Sequence, residues 1–153
     1  MPLKTVLFLC TGNYYRSRFA EELFNHRAAR DGLGWRADSR ALAVERGKNN
    51  VGPISHLVLH ALEARGCAPQ GVARMPQPCT RTDLEEAALV IALKDSEHRP
   101  VMRERFPGWE ARTEFWLVDD IDVAPPDQAL AAIEREVERL LGRLRLSATP
   151  PPT

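Results

Sequence analysis

Thr5-Val6-Leu7-Phe8-Leu9-Cys10-Thr11-Gly12-Asn13-Tyr14-Tyr15-Arg16-Ser17 is the stretch around which the rest of the chain can be ordered. From Lys4 to Leu9 it is a continuous apolar run. That run is too short for a signal peptide or a membrane span, and it reads as a buried strand. After Cys10 the chain turns polar, with Gly12 and Asn13. From Ser17 to about Arg30 it shows helical spacing, with Phe19, Leu23 and Arg27 on one row and Ala20, Phe24 and Ala28 on the next. Gly32 and Gly34 stop that helix. A strand that passes through a short loop into a helix is the opening unit of a parallel sheet.

Strand and helix signals alternate from there onward. Trp35 to Ser39 forms a second strand. Pro53 stands at the start of a helix over Ile54 to Arg65, and Gly66 caps its end. Asp83 to Ala88 is a brief helix leading into the apolar strand Leu89 to Leu93. Asp95 to Phe106 is helical, with Pro100 placed in the first turn. Thr113 to Val118 supplies the fourth strand. The last helix carries one stripe of Leu130, Ile133, Val137, Leu140, Leu141 and Leu144. This order predicts a single three-layer α/β domain over residues 1–146, with a four-stranded parallel sheet and helices on both faces. Gly66 to Thr80 is a long connection within the domain, and the Pro-rich tail 147–153 is expected to be disordered.

The bulk numbers narrow the function classes. The chain has 153 residues and a hydrophobic fraction of 44%, enough for a core without a metal or disulfide staple. Basic and acidic residues balance at 21 each, so charge gives no reason to propose nucleic acid or a membrane surface as partner. Cys10, Cys67 and Cys79 are odd in number and lack CxxC spacing. They therefore predict neither a disulfide framework nor a metal site, and point to a reducing, cytoplasmic setting without a cofactor. His56 and His60 are four apart, but without a third ligand they read as a helix face.

In an open parallel sheet, ligands bind beyond the carboxyl ends of the strands, which is where Cys10 falls. A cysteine followed six places on by an arginine is a loose pattern in an arginine-rich chain. Its place between a strand and a helix makes it specific. Backbone N–H groups around Gly12 and Asn13 can turn inward as a nest for an oxyanion, and the helix start near Ser17 adds its positive end. Arg16 offers a planar fork suited to two phosphoryl oxygens, so these residues read as a phosphate-binding loop after strand 1. The same surroundings favour a thiolate at Cys10.

The loop also resembles that of the low-molecular-weight protein tyrosine phosphatases, which reads V-C-x-G-N-x-C-R-S-P. Here Leu9-Cys10-Thr11-Gly12-Asn13-Tyr14-Tyr15-Arg16-Ser17-Arg18 matches at Cys10, Gly12, Asn13, Arg16 and Ser17. The likeness continues through Ser39, Gly52-Pro53, Leu62 to Gly66 and the strand Leu89 to Leu93, and so covers nearly the whole chain. It implies a phosphomonoester hydrolase that works through a phosphocysteine on Cys10. Arg16 would clamp the transition state, and Thr11, Gly12, Asn13, Tyr14, Tyr15 and Ser17 would surround the substrate. Asn13 would brace the loop with help from Ser39, and Ser17 would donate to the Cys10 sulfur. The partners implied are a phosphotyrosine protein or a small aryl or alkyl phosphate as substrate and inorganic phosphate as product.

Three departures from the family pattern qualify this reading. Tyr15 replaces the family's second cysteine, which leaves only Cys67 and Cys79 to rescue an oxidised Cys10. Arg18 replaces a proline at the helix start, where it is expected to be tolerated and to add positive potential. The family's acid is an aspartate in an Asp-Pro pair. Here Val118-Asp119-Asp120-Ile121-Asp122 has no such pair; it points to Asp120 and keeps Asp119 and Asp122 as alternatives. Tyr14 and Tyr15 can either line the pocket mouth and stack on an aryl phosphate or pack as partly buried loop residues. Two other functions remain in view: a phosphate- or phosphopeptide-binding module that has lost turnover, and a thiol-dependent arsenate reductase. The latter would need a relay of two further cysteines.

Overall fold

A computed structural model describes residues 3–120 and 123–148. Four strands, β1 (Lys4–Cys10), β2 (Trp35–Ala41), β3 (Leu89–Ala92) and β4 (Glu114–Phe115), form one parallel sheet in the order β2-β1-β3-β4. The helices are α1 (Arg16–Asp31), α2 (His56–Ala64), α3 (Arg81–Glu86), α4 (Asp95–Arg105) and α5 (Pro126–Ala148). The chain steps from β1 out to β2 and then back across β1 to β3. Strand order therefore reverses beside β1, and the carboxyl end of β1 becomes the crevice where ligands bind in such sheets.

The uninterrupted apolar run of β1 follows from cover on both sides. Val6, Phe8 and Cys10 point into a core built with Phe19, Leu23 and Phe24 of α1, Val58 and Leu62 of α2, and the α5 stripe from Leu130 to Leu144. Leu7 and Leu9 point the other way, against Leu84 of α3 and Val101 and Met102 of α4. Phe8 and Phe19 are fully buried. Side chains of that size each contribute roughly 1.5–3 kcal/mol by leaving water.

Several elements differ in detail from what the sequence predicts. Gly32 does end α1, with φ 61° and its N–H bonded to Ala28 and Ala29 carbonyls. α2 starts later than Pro53 implies, because Ser55 is the cap: its hydroxyl accepts from Leu57 N–H at 3.2 Å. Its other end is a Schellman turn on Gly66 (φ 68°), with Gly66 N–H on Glu63 O and Cys67 N–H on Leu62 O. α3 begins at Arg81, two residues earlier than predicted, since Thr80 and Asp83 make a reciprocal capping box. Pro100 lies inside α4 and not in its first turn. The carbonyl deprived of a donor belongs to exposed Ser96, where water can replace the missing bond. The ladder of β4 is regular only at Glu114–Phe115, although Trp116 and Val118 N–H groups still reach Ala92 and Leu93 carbonyls. Helix α5 runs through Ala148, past the predicted tail boundary, and residues 149–153 lie outside the described residues.

The outer edge of β2 is met by a side chain at Ala37 and by backbone at Ala41. Asn25 donates to Ala37 O at 3.0 Å and accepts from Ala37 N–H at 2.7 Å, as a neighbouring strand would. Further along, Ala41 N–H donates to Gln77 O and Ala41 O accepts from Cys79 N–H. That pairing pulls the long connection Gly66 to Thr80 against the end of β2, close to the loop that follows β1. No helix among the described residues is long and apolar enough to cross a membrane.

Candidate active site

The loop Thr11 to Tyr15 turns between β1 and α1 on one strained residue. Asn13 has φ 53°, a conformation that asparagine tolerates better than most side chains because its short amide bonds locally. Gly12 is not in that region, and its neighbours leave ordinary van der Waals room for a side-chain carbon. A Cβ there would stand 3.5 Å from Asn50 Nδ2 and 3.7 Å from Gly47 Cα.

Asn13 is fully buried and uses its whole hydrogen-bonding capacity. Its Nδ2 donates to Ser17 Oγ and Ser39 Oγ, both at 2.9 Å, and its Oδ1 accepts from Gln77 N–H at 3.1 Å and Arg74 Nη1 at 3.2 Å. Ser39 passes its own proton to Glu21 Oε1 at 2.6 Å, and Arg74 Nη2 closes the set on Ser39 Oγ and Glu21. Burial raises the Glu21 carboxyl, against the hydrogen bond from Ser39 and the charge of Arg74. Ser17 Oγ lies 2.9 Å from Cys10 Sγ. Ser17 Oγ also accepts from Asn13, so one hydroxyl bridges the buried amide and the sulfur.

Arg16 is 2% exposed, and its fork is occupied. Nη2 donates to Glu97 Oε2 at 2.6 Å, while Nη1 reaches Glu97 Oε1 at 3.2 Å and Val118 O at 3.1 Å. The Nη1/Nη2 end of the guanidinium is thus held by a carboxylate from α4, and Asp120 Oδ2 stands 3.4 Å from Nη2. Burial works against the Arg16 charge, but Cys10, Glu97 and Asp120 together raise its pKa.

Glu97 is itself surrounded by donors. Lys94 N–H donates to His98 Nδ1 at 2.9 Å, which fixes the ring proton on Nε2, 3.0 Å from Glu97 Oε2 and 3.2 Å from Thr11 Oγ1. Thr11 also gives its hydroxyl proton to Glu97. Burial pushes the Glu97 carboxyl up, but the hydrogen bonds from His98, Arg16 and Thr11 overcome it and hold the group well below the usual carboxylate range. His98 is fully buried, and burial pulls its pKa down.

A cavity of about 290 Å³ opens here, lined by Cys10, Tyr14, Tyr15, Arg16, His56 and Asp120 among others. The two tyrosines divide the alternatives between them. Tyr15 is 7% exposed and packs in the core, its hydroxyl 3.3 Å from Pro126 O; burial and Asp120 push that phenol up to about 12. Tyr14 is half-buried at the mouth, its hydroxyl donating to Val51 O at 2.5 Å. Of the three aspartates, Asp120 lines the cavity and Asp119 pairs with Lys94 Nζ at 2.7 Å. Asp122 lies outside the described residues.

Arg18, at the start of α1, is a fully buried tie: Nη1 donates to Pro53 O and Arg74 O, each at 2.9 Å, and Nη2 to Gly71 O at 2.7 Å. Glu22, one turn on, accepts from Gln70 and Gly71 N–H groups, so α1 grips the loops on either side of the site. The other cysteines stand apart from Cys10. Cys67 Sγ contacts Glu22 O at 3.6 Å, and Cys79 packs on the α3 and α4 side of the sheet. No relay of thiols is assembled around Cys10. Among the described residues no group of three or more His, Cys, Asp or Glu side chains gathers as metal ligands would.

Glu97, His98, Glu21 and Arg74 carry no local motif. Glu97, His98 and Arg74 reach the loop from distant parts of the chain, and Glu21, on α1 itself, acts through Ser39 and Arg74, so a linear pattern search passes over all four.

Comparisons with known proteins agree with this geometry. A protein-arginine-phosphatase of Bacillus subtilis (strain 168) is 30% identical over 101 residues, a match that spans 66% of this chain and 62% of that protein. The crystal structure of YfkJ from Bacillus subtilis superposes with a TM-score of 0.82 at 22% identity, over 97% of this chain and 99% of that one. A low molecular weight protein tyrosine phosphatase from T. tengcongensis gives a TM-score of 0.74 at 24% identity, over 94% of this chain and 99% of that one. At those identities the two structures speak for the fold. The sequence pattern of one family matches residues 5–146, and the chain belongs to it: the low molecular weight phosphotyrosine protein phosphatases.

Proposed function

We propose that this chain hydrolyses phosphate monoesters through a phosphocysteine intermediate. The observation that carries the reading is the convergence on one cavity of the Cys10 sulfur, the Arg16 guanidinium and the Asp120 carboxyl, with the Ser17 hydroxyl 2.9 Å from that sulfur. The Cys10 thiolate attacks phosphorus, an S–P bond forms and the bond to the leaving oxygen breaks. Asp120 gives that oxygen its proton. Asp120, now a carboxylate, takes a proton from water as the water attacks phosphorus, and inorganic phosphate leaves with the thiolate restored. Loop N–H groups from Thr11 to Ser17 and the start of α1 hold the equatorial oxygens. Tyr14 at the mouth provides a flat apolar wall for an aryl group. Asn13 and Ser39 keep the loop in shape.

The test is release of inorganic phosphate from a simple aryl phosphate. Activity should vanish in Cys10→Ser, and full activity in that variant would refute the reading. Tight phosphate binding with no turnover at any pH would instead identify a binding module. A second substrate is favoured by the 30% identical relative, which is a protein-arginine-phosphatase. Phosphotyrosine and phosphoarginine peptides of the same sequence, assayed side by side, separate the ester from the phosphoramidate.

A further inference from the structure

We propose that Glu97 is a positioning residue for Arg16, one that holds the guanidinium by its end so that its remaining N–H groups meet the phosphoryl oxygens. The inference rests on the function proposed above and adds a residue that the loop motif does not contain.

The geometry is specific. Glu97 spans Nη1 and Nη2 of Arg16 at 3.2 and 2.6 Å, a two-point contact that fixes the plane of the guanidinium as well as its position. Val118 O takes a further Nη1 hydrogen at 3.1 Å. Among the described residues Nε has no partner, and Nη2 faces Asp120 at 3.4 Å. The Nε and Nη2 edge is therefore the one presented to a phosphoryl group, and it lies on the Asp120 side of the cavity. Side-on contact through that edge remains bidentate.

Glu97 is held in turn. Thr11 sits in the loop beside Cys10, and its hydroxyl binds Glu97 directly. His98 Nε2 lies 3.0 Å from the same carboxylate, while its Nδ1 is locked by Lys94 N–H. Lys94 also pairs with Asp119 at 2.7 Å. The first turn of α4 thus fixes both the clamp on the phosphoryl group and the segment that carries the acid. Asp95 does not share this duty, for it pairs with Arg99 at 2.8 Å.

The role predicts a non-additive pair. Glu97→Gln places an amide N–H₂ among donors and should lower kcat on an aryl phosphate by about 10–100-fold, the usual loss when an outer partner of a binding group is removed. KM should change far less. Arg16→Lys removes the forked edge outright. If Glu97 works through Arg16, adding Glu97→Gln to Arg16→Lys lowers kcat no further; if it only supports the fold, the two losses multiply. Thermal melting of each variant checks folding, and Thr11→Val, which removes one donor to Glu97, gives a milder loss of the same kind should Glu97→Gln fail to fold. Unchanged kinetics in Glu97→Gln, or multiplied losses in the double variant, overturn the inference. Inorganic phosphate binding, measured by calorimetry, keeps the two ideas apart. A wild-type chain that binds phosphate without turnover refutes the hydrolase, whereas a wild-type chain that turns over while Glu97→Gln keeps its kcat refutes the positioning role.

Discussion

Lys94 Nζ lies 2.7 Å from Asp119 Oδ1, and this contact sets apart two adjacent aspartates, of which the sequence points to Asp120 and keeps Asp119 as an alternative. It turns Asp119 toward the start of α4, while Asp120 lines the cavity with Cys10.

The first prediction follows from that division. Asp120→Asn should lower kcat on an aryl phosphate by about 10²–10⁴-fold, the range for loss of a general acid. Asp119→Asn loosens the acid's segment by giving up a part-exposed ion pair, and its loss of activity should be far smaller. Steady-state kinetics of both variants decide it, and a larger loss in Asp119→Asn would transfer the role.

Asn13 tests the support of the loop. Asn13→Gly keeps the φ of 53° accessible but strips the amide, leaving Ser17, Ser39 and Arg74 without their shared partner. Buried polar groups left unpaired cost about 1–3 kcal/mol each, so urea denaturation should show a loss of roughly 2–4 kcal/mol. Asn13→Ala should lose more, because it adds backbone strain.

Arg18 is the tie between loops. Arg18→Met preserves much of the buried stem and orphans the carbonyls of Pro53, Gly71 and Arg74. A destabilisation of about 3–5 kcal/mol is expected, in the tail reserved for broken buried networks. Chemical denaturation measures it. A loss within about 0.5 kcal/mol, the range of an ordinary surface site, would mean that the loops hold themselves.

His98 should give the chain a pH signature. Burial lowers its pKa in the folded state, so as pH falls below about 6.5 the unfolded chain takes up a proton that the folded chain refuses. Folded stability from this group is fully present above that value and declines as pH drops toward the lowered one. The stability gap between wild type and His98→Asn should therefore shrink from pH 7 to pH 5, as read from melting curves. A gap that widens on acidification would show that the buried ring is charged.

The strand–loop–helix unit was legible because its signals are local: a run of apolar residues, a turn, and helical spacing from Phe19 onward. The same holds for Gly32 and Gly66, whose left-handed backbones end α1 and α2 as the sequence suggests. Boundaries moved where a side chain outbid the backbone cue. Ser55 displaced Pro53 as the start of α2, and Thr80 with Asp83 set the start of α3 in a pattern that the sequence holds but the hydrophobic spacing hides. Glu97 was out of reach, since nothing near position 97 says that Arg16 will arrive 81 residues away in sequence. Arg18 was legible only in part. Its charge beside the loop follows from its place at the start of α1, yet the carbonyls that bury it come from loops whose course only the folded chain reveals.

The amide of Asn25 has a consequence beyond this one molecule. By occupying both polar groups of Ala37 it denies an approaching chain the template on which a fifth strand would grow. Crowded copies of this protein meet a finished border on that flank, and fibril-like stacking cannot start from the middle of β2. One asparagine on a neighbouring helix thereby guards the solubility of a sheet that it does not belong to.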